Sequence, residues 1–239
     1  MNTPVKDEVG IQREYYAKTA SNYADMHTNE NDENSFAMHV MFGAATFLGV
    51  KTILDIGSGT GRTLIHAKKN HPQLLVTGVE PVKELREIGY ACGLSTKELI
   101  EGNAYQLPFE DEAFDFVCEF AMLHHVRKPE FVIQEMLRVS RKAIFISDSN
   151  GFGQGSLVVR SIKQMINSLK LWALADYLKT FGRGYIITEG DGLSYSYSVF
   201  NNYNQIRRGC KAIHLLNTTT GGINPYRTAG SVALLGIKK

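Results

Sequence analysis

The sequence predicts an α/β fold with a doubly wound parallel sheet, on three observations. Thr52-Ile53-Leu54 leads into Asp55, and Gly57, Gly59 and Gly61 follow at alternate positions. A second apolar run, Leu74 to Val79, ends at Glu80, nineteen residues after Gly61. Two further apolar runs, Phe114–Phe120 and Ala143–Ser147, flank an amphipathic stretch, Pro129–Val139. Short apolar runs that end at turn formers and alternate with helical periodicity build βαβ units.

The first unit carries the ligand chemistry. Glycine lets the backbone turn tightly and approach a ligand without a Cβ in the way. A carboxylate at the tip of the next strand, Glu80, can accept hydrogen bonds from both hydroxyls of a ribose. Together they make a nucleoside-binding unit. A dinucleotide fingerprint needs a third glycine where Arg62 stands, and no G-x-x-x-x-G-K-[ST] phosphate loop occurs. The pattern is D-x-G-x-G-x-G. It resembles motif I of the class I S-adenosylmethionine-dependent methyltransferases. The resemblance implies a Rossmann-like seven-stranded sheet closed by an antiparallel strand 7, S-adenosylmethionine as cofactor and S-adenosylhomocysteine as product. It places Asp55, Gly57, Ser58, Gly59, Thr60, Gly61, Arg62, Glu80 and Pro81 along the cofactor.

Residues 99 to 117 continue the resemblance with Asn103-Ala104-Tyr105, then Leu107-Pro108-Phe109, then Phe114-Asp115-Phe116-Val117. In the family the first of these positions reaches the adenine amine. Asn stands here where Asp is commoner, and its side-chain oxygen still accepts. Leu107, Pro108 and Phe109 shape the pocket wall. Strand four ends in Glu119-Phe120, and Leu123-His124-His125 follows, an end the family places near the methionine moiety and the substrate. Tyr16 and Tyr23 sit in an N-terminal aromatic-x-x-x-Ala-x-x-Tyr segment that in many relatives folds over the cofactor; docking by its aromatic face is the alternative.

Methyl transfer from a sulfonium needs alignment and exclusion of water. A hydroxyl acceptor also needs a base. His124 and His125 are the leading candidates, at most one of them facing the methyl group, since adjacent side chains point apart. Asp148, at the mouth of strand five, is the second, and Tyr195 and Tyr197, on one face of a short strand, are expected to line the acceptor pocket. Asp148 and Asn150 are not adjacent, and strand four ends in His rather than Asp. No metal is therefore expected, and turnover should ignore magnesium and chelators.

The chain has 239 residues, 44% of them apolar, and a net charge of +2. That length supports a single domain with a sizeable core. Such a charge gives no general attraction to nucleic acid. Cys92, Cys118 and Cys210 are distant and odd in number, so reduced thiols in a cytoplasmic protein are expected. No secretion signal or transmembrane run is seen. The expected organisation is an N-terminal helical lid (1–35), a cofactor-binding core (36–150), a cap insertion (151–200) and the end of the sheet (201–239). Residues 28–35 read as a polar loop, and Phe36–Leu48 as the helix before strand one. Ser156–Phe181 reads as one or two amphipathic helices, with Val158, Ile162, Met165 and Leu169 opposite Arg160, Lys163 and Asn167. The apolar side suits a substrate cap or a homodimer surface; a peripheral membrane contact is the weaker reading.

Three functions fit. The first is an enzyme methylating a small molecule or sugar unit at oxygen or nitrogen. The second is a methyltransferase for RNA or protein, for which the basic face around Arg207-Arg208-Lys211 is modest. The third is a catalytically silent cofactor-binding subunit.

Overall fold

The computed structural model describes residues 8–20 and 32–239. Its strands are β1 (Thr52–Ile56), β2 (Leu75–Val79), β3 (Leu99–Ile100), β4 (Phe114–Phe120), β5 (Ser140–Ser149), β6 (Ile186–Thr188), β7 (Gly192–Ser194), β8 (Cys210–Asn217) and β9 (Ser231–Lys238). Seven of them form one sheet in the order β3-β2-β1-β4-β5-β9-β8, and β6-β7 is a separate hairpin. β1 to β5 pair in parallel; β9 runs antiparallel between β5 and β8. The helices are α1 (Glu8–Thr19), α2 (Glu33–Phe47), α3 (Arg62–Asn70), α4 (Lys83–Ala91), α5 (Pro129–Val139), α6 (Leu157–Ser168), α7 (Trp172–Lys179) and α8 (Tyr203–Gly209).

Period-two alternation sends neighbouring residues into opposite layers of the core. Leu54, Ile56, Val117, Ile144 and Ile146 pack with Ile133 and Met136 of α5. Ile53, Phe116, Cys118 and Phe145 pack with Met41 and Phe42 of α2 on the other side. Each such burial contributes about 1.5–3 kcal/mol, so the order of strands is fixed by matching apolar faces. The order reverses between β1 and β4. Crevices at such switch points, beyond the carboxyl ends of the strands, are where α/β sheets bind ligands.

The α2 helix starts earlier than its apolar run implies. Asp32 caps it by accepting from the Ser35 N–H at 2.6 Å, so Glu33–Ser35 are its first turn rather than loop. The β5 strand is also longer than its apolar run, because its register with β9 continues to Asp148–Val232 and Ser149–Ser231.

The amphipathic stretch divides into α6 and α7, and α6 docks through its polar side. Lys163 donates to the Gly151 carbonyl (2.9 Å), Gln164 to the Phe152 and Arg227 carbonyls (3.2 and 3.0 Å), and Asn167 to the Tyr226 hydroxyl (3.1 Å). Leu157, Val158, Ile162, Met165 and Leu169 face outward and are exposed. Packing of this apolar face against its own domain is therefore not observed among the described residues. No helix among them is long and apolar enough to cross a membrane.

Candidate active site

A cleft opens at the carboxyl ends of β1, β2 and β4, the place where open α/β sheets bind ligands. Gly57, Glu80, Pro81, Asn103, Ala104 and Tyr105 line one part of it; Tyr16, Met122, His125 and Tyr195 line another.

The glycine loop is built as its sequence requires. Gly57 has φ +72°, and a Cβ there would stand 2.5 Å from Met122 Cγ. Gly59 has φ +55°, and its N–H donates to Glu80 Oε2 at 2.9 Å. The Val82 N–H donates to the other oxygen at 2.8 Å. Glu80 is only 5% exposed. Burial, incompletely offset by the Val82 and Gly59 hydrogen bonds, raises its pKa to about 7. Asn103 accepts from the Tyr105 N–H through its side-chain oxygen at 3.0 Å, which holds the turn beside the cleft.

Other residues of the glycine region lie behind the loop. Ser58 donates through its hydroxyl to the Asp55 carbonyl (2.8 Å). Asp55 is buried and accepts from the Cys118 thiol at 3.7 Å. Burial, partly offset by hydrogen bonds from Thr63 and Ser58, raises its pKa to about 7. Its role is to staple the loop to β4. Thr60 is buried, and Gly61 caps α3 with φ +81°. Arg62 points away and grips Asp32 through two bonds of 3.0 and 3.1 Å, tying the start of α3 to the start of α2. Glu119 and Phe120 are likewise absent from the cleft wall. Phe120 packs on Phe145. Glu119 is fully buried under the turn, where it accepts from the Met122 N–H at 3.0 Å. Burial and the neighbouring Asp148 push its pKa well above the carboxylate range.

The two histidines have different fates. His124 is held between carboxylates, with Nδ1 2.7 Å from Asp148 Oδ1 and Nε2 3.3 Å from Asp191 Oδ2. Burial alone would lower its pKa, but the Asp148 and Asp191 charges and hydrogen bonds outweigh it and raise the value to about 10. A ring held protonated has no lone pair for a substrate proton, so His124 is corrected from base to part of an ionic network. Asp148, 1% exposed, is that ring's partner and does not face the cleft. Burial would raise its pKa; the His124 charge and hydrogen bonds hold it below its ordinary value. His125 does line the cleft. Its Nδ1 lies 2.7 Å from the Leu193 carbonyl, which only accepts, so Nδ1 carries the proton of the neutral ring. Nε2 then accepts from the Tyr16 hydroxyl at 2.9 Å.

The tyrosines separate as well. The expected strand lies at β7, just before them, so they do not share a strand face. The Tyr195 N–H bonds to the His124 carbonyl (2.8 Å), and the Tyr197 carbonyl accepts from Gly151 (3.1 Å). Tyr195 lines the cleft, whereas Tyr197 is buried in the core, its hydroxyl without a partner among the described residues. Tyr23 lies outside the described residues.

Sequence reading did not single out Asp191, Gln12, Arg13 or Met122. Gln12 accepts from the Leu193 N–H (2.5 Å) and donates to the Asp191 carbonyl (3.2 Å), strapping α1 to the β6-β7 hairpin. The Glu189-Gly190-Asp191-Gly192 stretch signals a turn, but only the tertiary fold carries it to the end of β4.

Residues 54–145 match the sequence profile of the family described as "Methyltransferase domain". That segment carries the pattern of a methyltransferase domain, and the chain has the fold of the class I S-adenosylmethionine-dependent methyltransferases. Norajmaline N-methyltransferase of Rauvolfia serpentina is 36% identical over 94 residues, 38% of this chain and 32% of that one. The chain spans a third to a half of the length of the first curated relatives it matches. A possible histamine N-methyltransferase of Thermotoga maritima superposes with a TM-score of 0.58 at 18% identity, covering 95% of this chain and 100% of that one. The [4+2]-cyclase SpnF superposes at 0.62 with 14% identity, covering 100% and 99%. Likenesses this distant show the fold alone, since one fold hosts many chemistries. The cofactor of this methyltransferase family is S-adenosylmethionine, and the cleft fits it. The wall at Gly57 has no room for a Cβ, and the Glu80 carboxylate stands beside it. Glu80 would hold the ribose, Asn103 and Ala104 the adenine, and the Gly57 turn the remainder.

Proposed function

We propose that the chain is an S-adenosylmethionine-dependent methyltransferase acting on a hydroxyl or amine of a small molecule or sugar unit. The observation that carries this reading is one cleft with two halves. Glu80, Gly57 and Asn103 suit a nucleoside, and the adjoining His125, Tyr16 and Tyr195 suit a polar acceptor. When bound, the cofactor supplies a sulfonium methyl for in-line displacement. His125 and Tyr16 orient the acceptor, and Asp148 acts through His124 as a positioning residue. The α1 helix, strapped to the hairpin by Gln12 and by the Tyr15 hydroxyl on the Glu189 carbonyl (2.6 Å), covers the cleft and limits water. The nitrogen chemistry in the name of the Rauvolfia relative supports amine acceptors alongside hydroxyls.

The test has two steps. Thermal unfolding is followed with S-adenosylmethionine, S-adenosylhomocysteine and NAD, since a ligand of the native state raises the melting temperature. Sugar nucleotides and hydroxylated or amine metabolites are then screened for S-adenosylhomocysteine release. Stabilisation by NAD alone would overturn the cofactor reading. Sulfonium binding with no turnover on any acceptor would favour the silent subunit.

A further inference from the structure

We propose that His124, His125 and Asp191 form a binding site for one divalent transition metal ion of the zinc class, at the acceptor end of the cleft. One ligand atom from each residue lies within 4.8 Å of the others. His124 Nε2 stands 3.3 Å from Asp191 Oδ2, and His125 Nε2 stands 3.4 Å from Asp191 Oδ1. Charge-assisted N–H···O bonds draw in to about 2.7–2.9 Å, so the His124–Asp191 contact is a long one, and His125 Nε2, which accepts from Tyr16, has no proton to give Asp191. Ligands of a tetrahedral ion with bonds of about 2.0–2.1 Å stand about 3.3–3.4 Å apart by geometry. Octahedral ligands at the same bond length would stand only about 2.9 Å apart. The two contacts reach different oxygens of Asp191, so its half-exposed carboxylate would turn to give one oxygen to an ion shared with both rings.

The groups behind the ligands point the same way. Metal-binding histidines donate their second ring N–H to a carboxylate or carbonyl, which fixes the ring and its tautomer. Both rings do so here. His124 Nδ1 meets Asp148 Oδ1 at 2.7 Å, and His125 Nδ1 meets the Leu193 carbonyl at 2.7 Å. The two Nε2 atoms are left facing one carboxylate. The Tyr16 hydroxyl, 2.9 Å from His125 Nε2, marks a fourth position on the cleft side. Two imidazoles and one carboxylate with a fourth position open are the donor set of catalytic zinc, and imidazole disfavours magnesium. The ion would take the place of the proton on His124 Nε2 and hold an acceptor oxygen or nitrogen at the cleft wall. This deepens the methyltransferase reading and reverses the sequence-based expectation of no metal, which weighed only residues near strands four and five. Asp191 lies 66 residues beyond His125.

The full chain is stripped with EDTA, desalted and titrated with Zn²⁺. A second sample receives Co²⁺, whose visible spectrum distinguishes four-coordinate from six-coordinate sites. The expected result is one equivalent of Zn²⁺ bound with Kd below about 1 µM and a four-coordinate Co²⁺ spectrum. Asp148→Asn should weaken binding about 10–100-fold, and Asp191→Ala and His125→Ala by more. The Asp191 side chain is 43% exposed, so Asp191→Ala should fold, and retained S-adenosylhomocysteine binding verifies it. No stoichiometric Zn²⁺, a six-coordinate Co²⁺ spectrum, or unchanged affinity in Asp191→Ala would overturn the site. S-adenosylhomocysteine binding by the metal-free wild type tests the methyltransferase reading separately, so each can fail alone.

Discussion

Protonation of Glu80 should control cofactor affinity near neutral pH. Its carboxylate is 5% exposed, and burial raises its pKa to about 7. Two ribose hydroxyls need acceptors, so the bound form requires the ionised acid. The free protein carries the proton below pH 7 and must release it on binding. Affinity therefore strengthens as pH rises through 7 and levels off above. With a pKa of about 7, the apparent Kd at roughly pH 6 should be about tenfold weaker than at roughly pH 8, or ~1.4 kcal/mol. Calorimetry of S-adenosylhomocysteine in buffers of different ionisation enthalpy would show close to one proton released at pH 6 and close to none at pH 8. Glu80→Gln should abolish the pH dependence. It should also weaken binding by about 10–100-fold, the ~1.5–3 kcal/mol of hydrogen bonds to a charged group. Asp55 titrates in the same range but lies outside the cleft wall, so Asp55→Asn should keep the dependence. A Kd flat across this range, or a dependence that survives in Glu80→Gln, would refute the reasoning.

Other outcomes follow from the same geometry. The sign for stability is opposite to that for binding. The native state holds extra protons on Asp55 and Glu80 between the unfolded values near 4 and about 7, so ligand-free stability should fall as pH rises through that window, as urea unfolding at several pH values would show. Tyr197→Phe removes a buried hydroxyl that has no partner among the described residues. It should raise stability by about 1 kcal/mol and leave the acceptor KM unchanged, whereas Tyr195→Ala should raise that KM. Ile162→Gln and Leu169→Gln on the outward side of α6 should each change stability by less than about 0.5 kcal/mol. Ile133→Ala, fully buried under the sheet, should cost about 2–5 kcal/mol. Arg62→Ala should cost under about 1 kcal/mol, since its pair with Asp32 is partly exposed, and should shift the cofactor Kd less than about twofold, as calorimetry would register.

Local patterns along the chain were enough to place most of the sheet and the cleft wall beside β1 and β2. β4 and α5 coincide with their apolar runs, Gly57 and Glu80 face the cleft as their spacing implies, and Asn103 and Ala104 do so as the resemblance implies. These features are local. A strand tip and the turn beside it sit within a few residues of each other, so period and turn chemistry suffice to place them. The resemblance carried too many residues of the glycine region into the cleft. Asp55 and Arg62 serve the loop's own fold, and only side-chain direction separates lining from support. Tertiary structure alone decided the acceptor half. It set His124 between Asp148 and Asp191, turned His125 toward the cleft, and sent Tyr195 and Tyr197 to different places. Those outcomes depend on charges brought together from β4, β5 and the distant hairpin. Burial and Coulomb attraction act through space, and no pattern along the chain records the distance between groups that far apart in sequence.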